Sequence, residues 1–173
     1  MRLNKSTSHA VRILIDCAKA EGRLIKVAEI AERLDITPQN AFKIVHLLSK
    51  AGFLGSVRGR HGGVRLARPA AKIRIGDVVR ASETDFRLVE CFDPRTNVCT
   101  LTPSCRLKHL FDAALQAYFR ELDGATLADM VASGPPRAAA RRVGAAGHRP
   151  AFAIAVAAPP SRPRSAKAAV PRG

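Results

Sequence analysis

The chain has 173 residues, with 29 Lys and Arg against 14 Asp and Glu, a formal net charge of +15 and a pI near 11.0. That charge favours a polyanionic partner, either nucleic acid or an anionic membrane surface. No apolar stretch approaches the length of a membrane span, and residues 1–5 lack a signal peptide's apolar run, so a cytoplasmic protein that does not enter a membrane is expected.

Residues 8–20 place Ala10, Val11, Leu14, Ile15 and Ala18 at helical spacing, with Cys17 expected as a small core residue of the same helix. A second helix reads from Lys26 to Leu34, and Asp35-Ile36 turns the chain. Thr37-Pro38 is a helix start: Thr37 can cap, and Pro38 suits the first helical position, where its missing N–H costs nothing. The third helix is predicted from Pro38 to about Lys50, with Ala41, Ile44, Val45 and Leu48 inward and Gly52 as its stop. Phe53–Val57 and Val64–Ala67 are short apolar runs around a cationic, Gly-rich tip, which is a β-hairpin in form.

Three helices followed by a basic hairpin describe a winged helix-turn-helix. The expected fold is therefore mainly α with a small β-hairpin wing. A short helix follows at 75–82, and a long one begins near Cys105. The long helix carries Leu107, Leu110, Phe111, Ala114, Leu115, Tyr118, Phe119 and Leu122 at threes and fours, a seam wide enough for a dimer interface as well as a core. A short segment at 126–131 ends the folded part. Residues 134–173 hold seven arginines, one lysine and no acidic residue, so the first 133 residues carry only +7. With 13 Ala and 7 Pro in 40 residues, this tail is expected to be disordered. The expected domains are 1–82, a winged helix-turn-helix; 83–133, a cysteine loop and dimerisation helix; and 134–173, a basic tail.

A recognition helix presents its N-terminal residues to base edges. Here these are Thr37, Gln39, Asn40 and Lys43; Gln and Asn can pair with adenine, and Lys43 can reach guanine or a phosphate. The wing offers Arg58, Arg60 and His61 to the DNA backbone or minor groove, and Arg2 and Lys5 are further candidates for phosphate contact.

Three of the four cysteines follow Cys91-x7-Cys99-x5-Cys105, in a stretch where Pro94 and Pro103 forbid a continuous helix. Thiols on an irregular loop can converge on one ion or cluster. An iron–sulfur cluster, zinc and a thiol redox switch are the candidate chemistries; structural zinc prefers Cys-x2-Cys spacings, which are absent. No phosphate-binding Gly-Lys-Ser/Thr loop, Gly-x-Ser-x-Gly elbow or paired-histidine zinc motif is present, so enzymatic activity is not expected.

Met1-Arg2-Leu3, Ala10-Val11-Arg12, Val57-Arg58-Gly59-Arg60-His61-Gly62-Gly63-Val64-Arg65-Leu66, Ile75-Gly76-Asp77-Val78-Val79-Arg80 and Leu127-Ala128-Asp129-Met130 resemble the iron–sulfur winged-helix transcriptional regulators, which include NsrR, RirA and IscR. The resemblance covers residues 1–133 and is strongest to the NsrR and RirA kinds. It implies a homodimer that binds an operator in double-stranded DNA, most often as a repressor. It also implies that Cys91, Cys99 and Cys105 ligate a 2Fe-2S or 4Fe-4S cluster responding to nitric oxide, iron or redox state. The fourth ligand departs from the family pattern. NsrR-type chains resemble Thr-Asp-Tyr-Ala where this one has Thr7-Ser8-His9-Ala10, and IscR-type chains place a His three residues after the last cysteine, where this one has Lys108. The candidates are His109, His9, Ser8, a small molecule or no protein ligand at all. The alternative functions are a constitutive, non-sensing DNA-binding protein and a regulator switched by zinc or thiol chemistry.

Overall fold

The structure, a computed structural model, describes residues 3–132. Arg2 and the basic tail therefore lie outside the described residues. Helix α1 (Lys5–Lys19) starts three residues earlier than apolar spacing alone predicts. The reason is a polar cap: the Ser6 amide donates to Asn4 Oδ1 at 2.8 Å. Thr7, Ala10, Ile13, Leu14 and Cys17 form its buried stripe. Helix α2 (Val27–Leu34) buries Ile30 and Ala31. Asp35 then adopts a left-handed conformation (φ 52°), tolerable for Asp, and reverses the chain.

Helix α3 (Pro38–Lys50) begins as predicted, with Thr37 Oγ1 accepting from the Asn40 amide and Pro38 in the first turn. Ala41, Ile44, Val45 and Leu48 face inward. Gly52, at φ +76°, turns the chain into strand β1 (Leu54–Val57), which pairs antiparallel with β2 (Gly63–Leu66) in the register Leu54↔Leu66 to Val57↔Gly63. Ile25 adds one bridge to Val64 on the other edge of β2, with hydrogen bonds of 2.8 and 2.9 Å. Gly63 permits that approach, because a Cβ there would lie 2.6 Å from the Ile25 carbonyl oxygen.

Helix α4 (Ile75–Ser82) lies against α1 and α3, and the long α5 (Arg106–Asp123) packs on α4. Arg80 grips Asp123 with two hydrogen bonds of 2.6 and 2.8 Å and lies 4.4 Å over the Phe119 ring. Gly76 makes room for this contact, since its Cβ would lie 1.9 Å from Asp123 Oδ1. Helix α6 (Leu127–Val131) is nucleated by a capping box between Thr126 and Asp129. It then returns to the start of the chain: the Leu127 amide donates to the Ile73 carbonyl at 2.8 Å, and the Leu127 side chain is buried with the residues of α1, α3 and α4.

The seam of α5 divides in two. Phe119 and Leu122 pack against the core, whereas Leu107 and Leu110 are 55% and 64% exposed.

Candidate nucleic-acid interface and cysteine loop

The face of α3 opposite its buried stripe carries Gln39, Asn40, Phe42, Lys43 and His46, all exposed. Three of these are the base-reading candidates; Phe42 and His46 were not among them, because an apolar residue and a mid-helix histidine give no local signal of a reading role. Thr37, the fourth candidate, is exposed at the helix start, but its hydroxyl already serves as the cap. Arg58, Arg60 and His61 stand exposed on the tip between β1 and β2. Lys5 is exposed in the first turn of α1.

Between α3 and the wing lies a groove of about 520 Å³. Lys26, Phe42, His46, Val57 and Arg60 contribute to its lining, and none of its lining residues is acidic. The wing's shape depends on Gly62, where a Cβ would lie 2.2 Å from the Val57 carbonyl oxygen. That neighbour is backbone and cannot swing aside.

The segment between α4 and α5 holds the cysteine loop. Cys91 lies in a 3-10 turn (Glu90–Phe92), Cys99 in the turn that follows Asn97, and Cys105 at the N-cap of α5. Polar groups organise the loop. Asp93 is 5% exposed and accepts from the Arg95 amide (3.0 Å), from the Arg95 side chain (3.0 and 3.1 Å) and from Arg87. Hydrogen bonds from Arg95, reinforced by Arg87, hold the Asp93 carboxyl below the usual carboxylate range. Arg87 also grips Asp85, lowering it to about 2. Asn97 Oδ1 accepts from the Cys99 amide at 3.0 Å, and Thr102 Oγ1 donates to the Cys99 carbonyl at 2.8 Å. Cys105 Sγ accepts from the Lys108 amide at 3.4 Å, so the thiol itself caps α5. Sequence reading missed this scaffold, although the spacing of Arg87, Asp93 and Arg95 was a visible sign of it.

Cys91, Cys99 and Cys105 are free thiols, the second exposed and the others half-buried. Among the described residues, no three His, Cys, Asp or Glu side chains stand close enough to share a metal ion. Thiols have little attraction for one another, and in the protein alone the Asp93 and Asn97 networks set the loop's course. Cys91, Lys108, His109 and Asp112 line one cleft of about 650 Å³. His109, one position beyond Lys108, thus shares a cleft with Cys91. Ser8 is exposed on α1, and His9 is half-buried there with an unpartnered Nδ1. Neither lines that cleft.

Cys17 behaves as predicted for a core residue: it is 1% exposed, and burial, with the Asp16 charge adding, pushes its thiol up to about 12. Alkylation of the folded, metal-free protein is expected to modify Cys91, Cys99 and Cys105 and to spare Cys17 until the chain is unfolded, as peptide mass mapping would show.

A winged helix whose reading helix and wing both turn hydrogen-bonding and cationic side chains outward is the framework of a DNA-binding regulator of transcription. Residues 3–133 match the profile of the Rrf2 family, described as an iron-dependent transcriptional regulator, and the chain belongs to that family. It is 43% identical over 132 residues to the HTH-type transcriptional regulator NsrR of Oceanobacillus iheyensis, covering 76% of this chain and 90% of the relative. Protein aau3 of Rhizobium meliloti is 42% identical over 135 residues, covering 78% and 88% respectively. The structure of T. potens IscR shares the fold, with a TM-score of 0.60 at 23% identity over 86% of this chain and 94% of that one. The family consists of regulators, and the chain is not an enzyme.

Proposed function

We propose that the chain is a homodimeric repressor whose operator binding is controlled by an iron–sulfur cluster held by Cys91, Cys99 and Cys105. The observation that carries this reading is the placement of three free thiols on the irregular segment joining α4 to α5, one of them capping α5. The donor set fits the group chemically, because soft thiolates are the usual ligands of such clusters. When bound, the cluster supplies a centre reactive toward nitric oxide and oxidants. The family description adds iron as a signal, and the resemblance to NsrR favours nitric oxide.

The chain's own residues provide the coupling. Cys105 fixes the N-terminus of α5, and Arg80 fixes its C-terminal turn to α4, which packs on α1 and α3. A change in how the loop holds its thiols is thereby passed along one rigid helix to the DNA-binding elements. Of the fourth-ligand candidates, His109 is favoured over His9 and Ser8 because it lines the cleft of Cys91. In the dimer, the uncovered leucines of α5 would pack against those of a second copy, matching paired half-sites. The protein would act in the cytoplasm.

On DNA, α3 would enter the major groove with Thr37, Gln39, Asn40 and Lys43 at the base edges, while Arg58, Arg60 and His61 of the wing, with Lys5 and Arg2, hold the backbone. The substitution Gly62→Ala is expected to rebuild the wing tip and withdraw Arg58 and Arg60. Losing two phosphate contacts would lower the slope of log affinity against log salt by about 2. A salt titration of binding checks this, alongside a thermal melt that should change little.

The test of the whole reading is anaerobic purification, visible absorbance and iron analysis, then operator binding before and after nitric oxide. A coloured, iron-containing protein that releases DNA on exposure is expected; a colourless, iron-free protein whose binding ignores nitric oxide would sink the proposal. The lack of a three-donor metal group among the described residues favours one alternative, a constitutive DNA-binding protein that does not sense. That alternative predicts unchanged operator affinity when Cys91, Cys99 and Cys105 are all replaced by serine.

A further inference from the structure

We infer that Phe42 reads thymine methyl groups in the major groove and so sets part of the operator's sequence. The inference rests on the DNA-reading role of α3 and adds a residue that neither hydrogen-bonding capacity nor charge would select. On α3 the buried positions are 41, 44, 45 and 48, and the outward positions 39, 42, 43 and 46 form the complementary face at helical spacing. Every outward residue except Phe42 is polar or charged. Phe42 is 58% exposed, in the second turn of the helix, one turn after Gln39 and one turn before His46.

Single exposed apolar residues are common and need no explanation. Phe42 differs because of what surrounds it. It forms part of the wall of the groove between α3 and the wing, where Lys26, His46 and Arg60 also lie and no acidic side chain intervenes. Such a rim suits a polyanion and disfavours an apolar peptide, so DNA is the occupant. In the major groove the only apolar group on a base edge is the thymine C5-methyl, and an aromatic side chain gains by covering it. Cytosine, which lacks that methyl, offers Phe42 nothing. Gln39 and Asn40 beside it are suited to the adenine edge, so the three together favour A·T pairs.

The test uses the full chain prepared anaerobically. It is first used to enrich binding sites from a random duplex library. Each thymine of the enriched duplex is then replaced in turn by deoxyuridine, which removes only the methyl. At one or more positions in each half-site the wild type is expected to lose about fourfold in affinity, the transfer value of one buried methyl group. Phe42→Ala is expected to bind the thymine and deoxyuridine duplexes alike, while Phe42→Leu, which keeps an apolar surface, retains part of the discrimination. A wild type indifferent to every deoxyuridine, or a Phe42→Ala variant as discriminating as the wild type, overturns the inference and leaves DNA binding intact. Failure to enrich any sequence overturns the DNA-reading role itself, and the inference with it.

Discussion

Replacing Leu127 by alanine is expected to destabilise the protein by about 2–5 kcal/mol, the usual cost of emptying a fully buried leucine site. Leu127 is 0% exposed and shares a cluster with Ile13, Leu14, Ile73 and Val78, so its removal leaves a cavity inside the DNA-binding core. The neighbouring backbone is held from both sides, by the Ile75 amide on the Ala125 carbonyl (3.0 Å) and the Leu127 amide on the Ile73 carbonyl (2.8 Å). These bonds limit collapse of the cavity and favour the upper part of the range. Against a total stability of about 5–15 kcal/mol, the loss is large. Urea unfolding followed by far-ultraviolet circular dichroism measures it. A cost below about 0.5 kcal/mol, typical of surface positions, would show α6 to be peripheral.

Exchanging Leu107 and Leu110 for glutamate should have the opposite profile, leaving the folded protomer intact and dissociating the proposed dimer. Both side chains are exposed in the single chain, so charge there costs the protomer little. In a dimer each leucine buried against the partner contributes about 1.5–3 kcal/mol. Four leucines per dimer give roughly 6 kcal/mol at the low end, or about four orders of magnitude in the dimer dissociation constant. Analytical ultracentrifugation reads the oligomeric state, and operator binding should weaken with it because half-sites are then bound singly. A variant that remains dimeric would place the interface elsewhere.

The two substitutions divide what was legible in the chain from what was not. Helix α3 could be read almost residue by residue, because Thr37-Pro38 starts it, Gly52 ends it and apolar residues mark its inner face. The same is true of α4, and of Cys105 at the start of α5. Each of these depends on neighbours within a turn or two, the range over which side-chain spacing carries information. The early start of α1 was missed because it rests on a polar cap at Asn4 rather than on apolar spacing.

Contacts between distant segments were not legible. Nothing local marks Gly76 as the seat of Asp123, or Arg80 as the partner of a carboxylate 43 positions away. The cysteine loop shows the same limit at shorter range. Its three thiols were conspicuous by spacing, but its course is set by Asp93 between Arg87 and Arg95 and by Asn97 with Thr102, groups that sequence reading passed over.

By itself the sequence determined the helix-turn-helix, the cationic wing and the candidate thiol ligands, because propensity, capping and charge act through nearest neighbours. Only the tertiary structure decided the fate of the apolar residues whose burial local spacing leaves open. It buried Leu127 and left Leu107, Leu110 and Phe42 in solvent. Whether a side chain is covered depends on the surface that meets it, and for Leu127 that surface is brought by residues far away in the chain.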